Sequence, residues 1–161
     1  IFTTGQRINF KRTFAPHLRP IETAGALTQA ALDNPNYDTV RARIEWLMAS
    51  PENVTDELVD VRVKFYKMPE LQVAMRGSIP GMGGGAGESP RYEEEDCKRI
   101  QVPSLVVWGD HNPTGGPDIG EYFASLIPGA KFFNLLDAAH WPQYEHAEEH
   151  DQVIADFIHG N

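Results

Sequence analysis

The segment from Val102 to Gly109, which reads VPSLVVWG, decides the fold class. It is a continuous apolar run, rich in valine and bounded by proline and glycine, and such a run is typical of a strand buried on both faces of a parallel sheet. Helical spacing follows over 120–127, then a second strand-like run over 131–136 and a final helical pattern over 148–158. The order strand, helix, strand, helix predicts an α/β fold in which helices cover a parallel sheet.

The part of the chain from residue 14 to about residue 75 has the spacing of helices instead. Tyr37, Val40, Ile44 and Leu47 lie three or four residues apart, on one face of an amphipathic helix. Asn36 directly precedes this pattern and is placed to cap the helix. We therefore predict a mostly helical region before the α/β segment.

A second amphipathic helix is predicted after the first. Thr55 is placed as its N-cap, and Pro69 is expected to end it because proline cannot continue a helix. The segment 77–90, which reads GSIPGMGGGAGESP, breaks all periodicity and is predicted to be a loop. Within the final helix, Ile158 is expected to face inward with its apolar neighbours.

The composition excludes several classes of partner. The chain of 161 residues has a formal net charge of −9, whereas nucleic-acid binding requires clustered basic residues, so no nucleic-acid partner is expected. No stretch reaches the roughly 18 apolar residues of a membrane span, so no membrane partner is expected either. The single cysteine, Cys97, excludes an internal disulfide framework, and a cytoplasmic location is the default interpretation. The oligomeric state stays open, with a homo-oligomer among the alternatives.

Polar side chains follow both predicted strands, at the carboxyl ends where reactive groups collect in an open parallel sheet. Asp110 and Asn112 follow the first strand, and His140 follows the second. An acid after one strand and a histidine after the next is the order found in the Ser–Asp–His triad of α/β-hydrolases. A histidine at a strand end is also an ordinary loop residue, so the residues alone leave both interpretations open.

The flanking residues resemble a specific family. The segment 140–158, HWPQYEHAEEHDQVIADFI, resembles the end of the meta-cleavage-product hydrolases, which cleave carbon–carbon bonds in bacterial aromatic-ring degradation. The shared features are a His-Trp pair, an aromatic-Glu pair two residues beyond it, and a final helix ending in Asp-Phe-aliphatic. VTDELVDVR, 54–62, resembles the helix of the family's lid, and PSLVVWG resembles its penultimate strand.

The resemblance implies roles for individual residues. It makes His140 the general base, and it places Trp141 beside it as a wall of the substrate site. It matches Arg62 to the lid arginine that contacts the carboxylate end of the dienoate substrate, for which a planar guanidinium is well suited. Without the resemblance, Arg62 would be taken for a solvated helix residue. The implied reaction uses no metal and no cofactor.

The position of the triad acid departs from the family. The family has an acid three residues beyond the glycine that closes the strand, and this chain has Asn112 there. A carboxylate orients the imidazole and stabilises its protonated form, whereas an amide only orients it and can favour the wrong tautomer. Asp110 is the alternative acid if the loop is shifted.

The nucleophile is a second departure, because no G-x-S-x-G motif occurs in the sequence. The resemblance implies that the chain is the C-terminal part of a hydrolase, inactive alone, whose missing N-terminal part supplies the serine. We expect 1–13 to be the end of a core strand and the connection into the lid, 14–98 the helical lid, and 99–161 the C-terminal part of the α/β core.

The expected substrate is a small-molecule ring-cleavage product of the 2-hydroxy-6-oxohexa-2,4-dienoate type. Two alternatives remain at this point. One is an esterase on the same fold, since a fold does not determine its substrate. The other is a degenerate member that binds ligand without catalysis, which the asparagine and the missing serine favour and the retained His140 and Arg62 oppose.

Overall fold

The computed structural model describes residues 8–14, 19–78 and 92–160, and the chain divides into two compact units. The first unit comprises residues 1–18 and 90–161, and the second comprises residues 19–89. The expected strand end before residue 8 and residues 79–90 of the expected loop lie outside the described residues. None of the helices in the described ranges has the length and apolar character needed to cross a bilayer.

Each unit has its own secondary structure. The elements of the first unit are β1 (Ile8–Asn9), β2 (Tyr92–Glu93), α5 (Glu94–Lys98), β3 (Leu105–Gly109), α6 (Pro117–Leu126), β4 (Lys131–Leu135), α7 (Pro142–Glu145) and α8 (Ala147–His159). The elements of the second unit are α1 (Ile21–Asp33), α2 (Tyr37–Glu45), a short 3-10 helix (Pro51–Asn53), α3 (Asp56–Tyr66) and α4 (Pro69–Ser78).

The centre of the first unit is the parallel pair β3 and β4. Their register runs from Leu105 opposite Lys131 to Gly109 opposite Leu135, which confirms the predicted parallel strands and the α/β fold class. Helix α6 packs against β3, where Trp108 is buried in a cluster with residues of that helix. Gly120 of α6 makes this packing close, because a Cβ atom there would lie 2.7 Å from the Trp108 ring.

A short strand pair that the sequence analysis did not predict joins two distant parts of the first unit. Strands β1 and β2 pair in parallel, and the buried side chain of Glu94 accepts hydrogen bonds from the Lys11 N–H at 2.6 Å and the Tyr122 hydroxyl at 2.9 Å. The Lys11 N–H is the main cause that lowers the pKa of the Glu94 carboxyl. Residues 92–98 therefore belong with the strands, whereas the lid was expected to extend to residue 98.

The second unit is helical, as predicted, and its helix caps follow the sequence. Asn36 and Thr39 form a capping box at the start of α2, and the Thr55 hydroxyl accepts the Leu58 N–H at the start of α3. The prediction for Pro69 is wrong in part: α3 already ends at Tyr66, and Pro69 begins α4, where its missing N–H costs no helical hydrogen bond. The core of the unit is formed by fully buried side chains, among them Leu32, Val40, Ile44, Met48 and Val59.

The final helix, α8, is one residue longer at each end than expected. The expectation that Ile158 faces inward is wrong, because its side chain is 67% exposed. Ile158 lies in the last turn, just before Gly160 ends the helix in a left-handed conformation, and it borders an open cavity rather than a packed core.

Gly109 generates a prediction about stability. A Cβ atom at this position would lie 2.4 Å from the carbonyl oxygens of Ala138 and Ala139, which are backbone atoms and cannot move aside cheaply. We expect Gly109→Ala to lower the free energy of unfolding by about 1–3 kcal/mol, measured by urea denaturation. The matched control is Gly25→Ala, because Gly25 lies in α1, where an added Cβ atom would meet no other atom within 4 Å. The control should be neutral or stabilising, and an equal loss in both variants would contradict the prediction.

Candidate functional site

Two loops meet at the carboxyl ends of β3 and β4, as expected for neighbouring parallel strands. The Asp110 N–H donates to the Leu135 carbonyl at 3.1 Å, and the His111 N–H donates to the Ala138 carbonyl at 2.8 Å. These backbone bonds continue the pairing beyond the last residues of the strands. The two loops are therefore held at a fixed separation by main-chain atoms.

His140 projects from the second loop toward the first. Its Nδ1 atom lies 3.3 Å from Oδ1 of Asn112. Asn112 is only 3% exposed. Its Oδ1 atom also accepts the Thr114 N–H at 3.1 Å and lies 2.9 Å from the Thr114 hydroxyl. The same amide oxygen thus faces both the imidazole and the turn at Thr114.

Asp110 faces the backbone of the histidine loop. Its Oδ1 accepts the Ala138 N–H at 3.3 Å, and its Oδ2 lies 4.0 Å from Nε2 of His111. The carboxylate therefore helps to anchor the loop that carries His140. Asn112, rather than Asp110, is the residue for which the structure gives a direct contact with the His140 ring.

Glu145 is a site residue that the sequence analysis did not single out. Its Oε2 accepts the Ala139 N–H at 2.8 Å, directly before His140 in the chain. The short helix α7 makes this contact, because the N–H groups of Tyr144 and Glu145 both donate to the Trp141 carbonyl and turn the chain back. The aromatic-Glu pair of the segment 140–158 was the available signal, but its partner in space could not be read from the sequence.

A cavity of about 560 Å³ lies beside the histidine loop. Its walls are mostly apolar side chains of β3 and α8, including Leu105, Val107 and Phe157. His140 and Asn112 belong to its lining, and so does Trp141. An apolar concavity with a few polar groups is the usual character of a small-molecule site.

Arg62 belongs to α3 in the second unit and is partly buried. Its guanidinium lies 5.6 Å from the centre of the Tyr66 ring, a cation–π distance. Arg43 of the same unit donates from Nε to the Thr28 hydroxyl at 2.7 Å, and burial, with a smaller contribution from the charge of Arg62, lowers its pKa. The second unit thus carries two guanidinium groups that are both at least partly buried.

No group of three or more His, Cys, Asp or Glu side chains within residues 8–14, 19–78 and 92–160 is arranged to bind a metal ion. Cys97 is buried, and its burial raises the pKa of its thiol, so it is not activated as a nucleophile.

Comparison with known proteins shows what the chain is similar to. The sequence profile of the alpha/beta hydrolase fold matches residues 24–147. A 2-hydroxy-6-oxononadienedioate/2-hydroxy-6-oxononatrienedioate hydrolase from Pseudomonas sp. is 24% identical over 141 residues, which cover 86% of this chain and 48% of that protein. The chain spans about half the length of the curated relatives it matches.

Solved structures have the same fold. A 2-hydroxy-6-oxo-6-phenylhexa-2,4-dienoate hydrolase from Rhodococcus sp. strain RHA1 superposes with a TM-score of 0.68 at 22% identity, covering 91% of this chain and 52% of that one. A carboxylesterase from Bacillus subtilis superposes with a TM-score of 0.65 at 17% identity, covering 97% and 52%. At these identities the likeness establishes the fold alone.

The contact between Glu145 and Ala139 generates a prediction about local opening. Hydrogen bonds to a charged group contribute about 1.5–3 kcal/mol, so we expect Glu145→Ala to accelerate hydrogen exchange of the Ala139 N–H about tenfold or more. The matched control is Glu148→Ala, since Glu148 is exposed in the first turn of α8. Amide exchange followed by NMR tests this. Equal protection of Ala139 in both variants would show that Glu145 does not hold the loop.

Proposed function

The chain belongs to the α/β-hydrolase fold family, and on this basis we propose that it carries the general base of a carbon–carbon bond hydrolase. The proposed substrates are ring-fission products of the 2-hydroxy-6-oxohexa-2,4-dienoate type. The family resemblance supports this substrate class, and so do the names of the relatives, which act on such dienoates. The whole hydrolase, rather than this chain alone, would have the activity.

The observation that carries the proposal is the contact between His140 and Asn112 at the ends of two parallel strands. A base at this place can take a proton from a hydroxyl group in front of the sheet, because engagement of Nδ1 by the amide leaves proton transfer to Nε2. The sequence has no G-x-S-x-G motif, so the proposal assigns the serine to a part of the hydrolase not represented in this sequence.

The proposed reaction begins with ketonisation of the dienol, in which a proton moves from the enol oxygen to carbon. Water then adds to the 6-oxo carbonyl group. The carbon–carbon bond next to this group breaks and gives a carboxylic acid and a shorter dienol acid. His140 accepts the proton that the attacking hydroxyl group loses. The electron pair of the broken carbon–carbon bond moves through the conjugated chain to the oxygen of the other ketone, and His140 returns the proton to that enolate oxygen, which gives the dienol acid. The steps need no metal and no cofactor.

Arg62 is the proposed partner of the substrate carboxylate. A guanidinium offers parallel N–H donors that match a carboxylate, and partial burial strengthens the attraction by lowering the local dielectric constant. Trp141 is the proposed apolar wall beside the base, which agrees with its place in the lining of the cavity. Both assignments follow the family resemblance.

Ester hydrolysis is the second candidate function. It is favoured by the likeness to a carboxylesterase structure and by a base that would serve acyl transfer equally well. The two candidates differ at Arg62, since a neutral ester has no carboxylate for this residue to bind.

We test the proposal with the whole hydrolase and two substrates, a ring-fission dienoate and a neutral nitrophenyl ester. His140→Ala should abolish turnover of both. Arg62→Gln should lower kcat/KM for the dienoate about tenfold or more, since it removes a charge-assisted hydrogen bond, and should change ester hydrolysis little. Loss of dienoate absorbance and release of nitrophenol are the measurements.

The matched control is Lys64→Gln, which removes one positive charge from the exposed face of the same helix. It should leave both activities unchanged. An equal loss of dienoate kcat/KM in the Arg62 and Lys64 variants would show that only the net charge of the helix matters. Turnover of the ester without turnover of the dienoate would replace the proposed function by the esterase alternative.

A further inference from the structure

The orientation of the Asn112 side-chain amide follows from its neighbours. One amide atom lies 3.1 Å from the backbone N–H of Thr114, 2.9 Å from the Thr114 hydroxyl and 3.3 Å from Nδ1 of His140. A backbone N–H can only donate, so the atom that faces it must be the acceptor, the amide oxygen. The turn at Thr114 therefore decides which end of the amide faces the histidine.

The amide oxygen in turn decides where the His140 ring carries its proton. An amide oxygen has no hydrogen to give, so a hydrogen bond to it requires a proton on Nδ1. A neutral imidazole has one N–H, and Nε2 then keeps its lone pair. We propose that Thr114 is a positioning residue, which orients Asn112 so that His140 is held as the Nδ1–H tautomer with the basic lone pair on Nε2.

This arrangement answers the difficulty of an asparagine at the acid position. In a serine-protease triad, replacing Asp by Asn lowers turnover about 10⁴-fold because the histidine takes the wrong tautomer. That failure requires the NH₂ end of the amide to face the ring. Here the opposite orientation would place the NH₂ group against the Thr114 N–H, donor against donor, at a site that water barely reaches because Asn112 is 3% exposed.

The role of this tautomer in catalysis rests on the proposed function, whereas the tautomer of His140 itself depends only on its neighbours. Asn112 performs one part of the work of an acid, which is to orient the ring. It does not perform the other part, because a neutral amide stabilises the imidazolium less than a carboxylate does. His140 thus keeps the tautomer of a base while its Nδ1 atom faces a neutral group.

The test is the nitrogen NMR spectrum of the uniformly ¹⁵N-labelled full chain at a pH where imidazoles are neutral, with His140 assigned from the His140→Gln variant. A pyrrole-type shift for Nδ1 and a pyridine-type shift for Nε2 are expected, with the Nδ1–H form in about tenfold excess or more. Histidine side chains free in water favour the opposite tautomer. A dominant Nε2–H form of His140 would overturn the inference.

His146 provides an internal reference in the same spectra. Its Nε2 lies 3.1 Å from the carbonyl oxygen of Asp137, which can only accept, so His146 should be in the Nε2–H form. The two histidines are thus expected in opposite tautomers. Protection of the Ala139 N–H against hydrogen exchange in each variant shows that the histidine loop is still folded.

Three variants test the role of each neighbour. Thr114→Val removes the hydroxyl donor but keeps the backbone N–H, so the Nε2–H fraction of His140 should rise only part of the way to its value in Asn112→Ala, whereas Thr114→Ser should retain the parent spectrum. Asn112→Ala should release the ring to its preference in water. Identical His140 spectra for the Val and Ser variants would overturn the part assigned to the Thr114 hydroxyl, and a dominant Nε2–H form in all of them would overturn the part assigned to the backbone N–H. Because the spectra involve no substrate, a whole hydrolase that fails to turn over dienoates would overturn the proposed function alone.

Discussion

The parallel pairing of β3 with β4, carried past the last strand residues by two backbone hydrogen bonds, is the constraint on which the site depends. The pairing brings the loops after the strands together only because Gly109 has no side chain, since the carbonyl oxygens of Ala138 and Ala139 occupy the space where a Cβ atom would lie. The absence of a side chain at Gly109 therefore allows the two loops to approach. The positions of the two loops that carry His140 and Asn112 are thus set by main-chain geometry.

The charged side chains of the site and its neutral amide have different partners. The carboxylates of Asp110 and Glu145 accept the N–H groups of Ala138 and Ala139, so both acids stabilise the backbone of the histidine loop. The neutral Asn112 faces the imidazole ring instead. In the proposed hydrolase, orientation of the base is thus separated from stabilisation of its charge, and Asn112 supplies the first. An amide acceptor next to a catalytic histidine also occurs in the Cys-His-Asn arrangement of papain-like proteases.

The features that could be predicted from the sequence are those that depend on residues close together in the chain. The apolar run of β3, the helix caps at Asn36 and Thr55, and the strand-end position of His140 could be predicted because each depends on neighbours in the chain. The hydrogen bond from the Lys11 N–H to Glu94 could not be predicted, since it joins residues 83 positions apart. This contact explains why residues 92–98 belong with the strands. The direction of the Asp110 carboxylate and of the Asn112 amide depends on backbone donors that only the folded loops bring near. The roles of Arg62 and Trp141, a cytoplasmic location and the oligomeric state stay predictions.

The central claim is that Asn112 occupies the place of the triad acid and orients His140 as the base. The most direct measurement is the turnover number of the whole hydrolase on a ring-fission dienoate, compared between the parent, Asn112→Asp and Asp110→Asn. A carboxylate at position 112 would keep the orientation and add stabilisation of the imidazolium, so the account predicts a faster Asn112→Asp enzyme and a much smaller change for Asp110→Asn. Unchanged turnover in Asn112→Asp together with a steep loss in Asp110→Asn would contradict the account, because Asp110 would then be the acid.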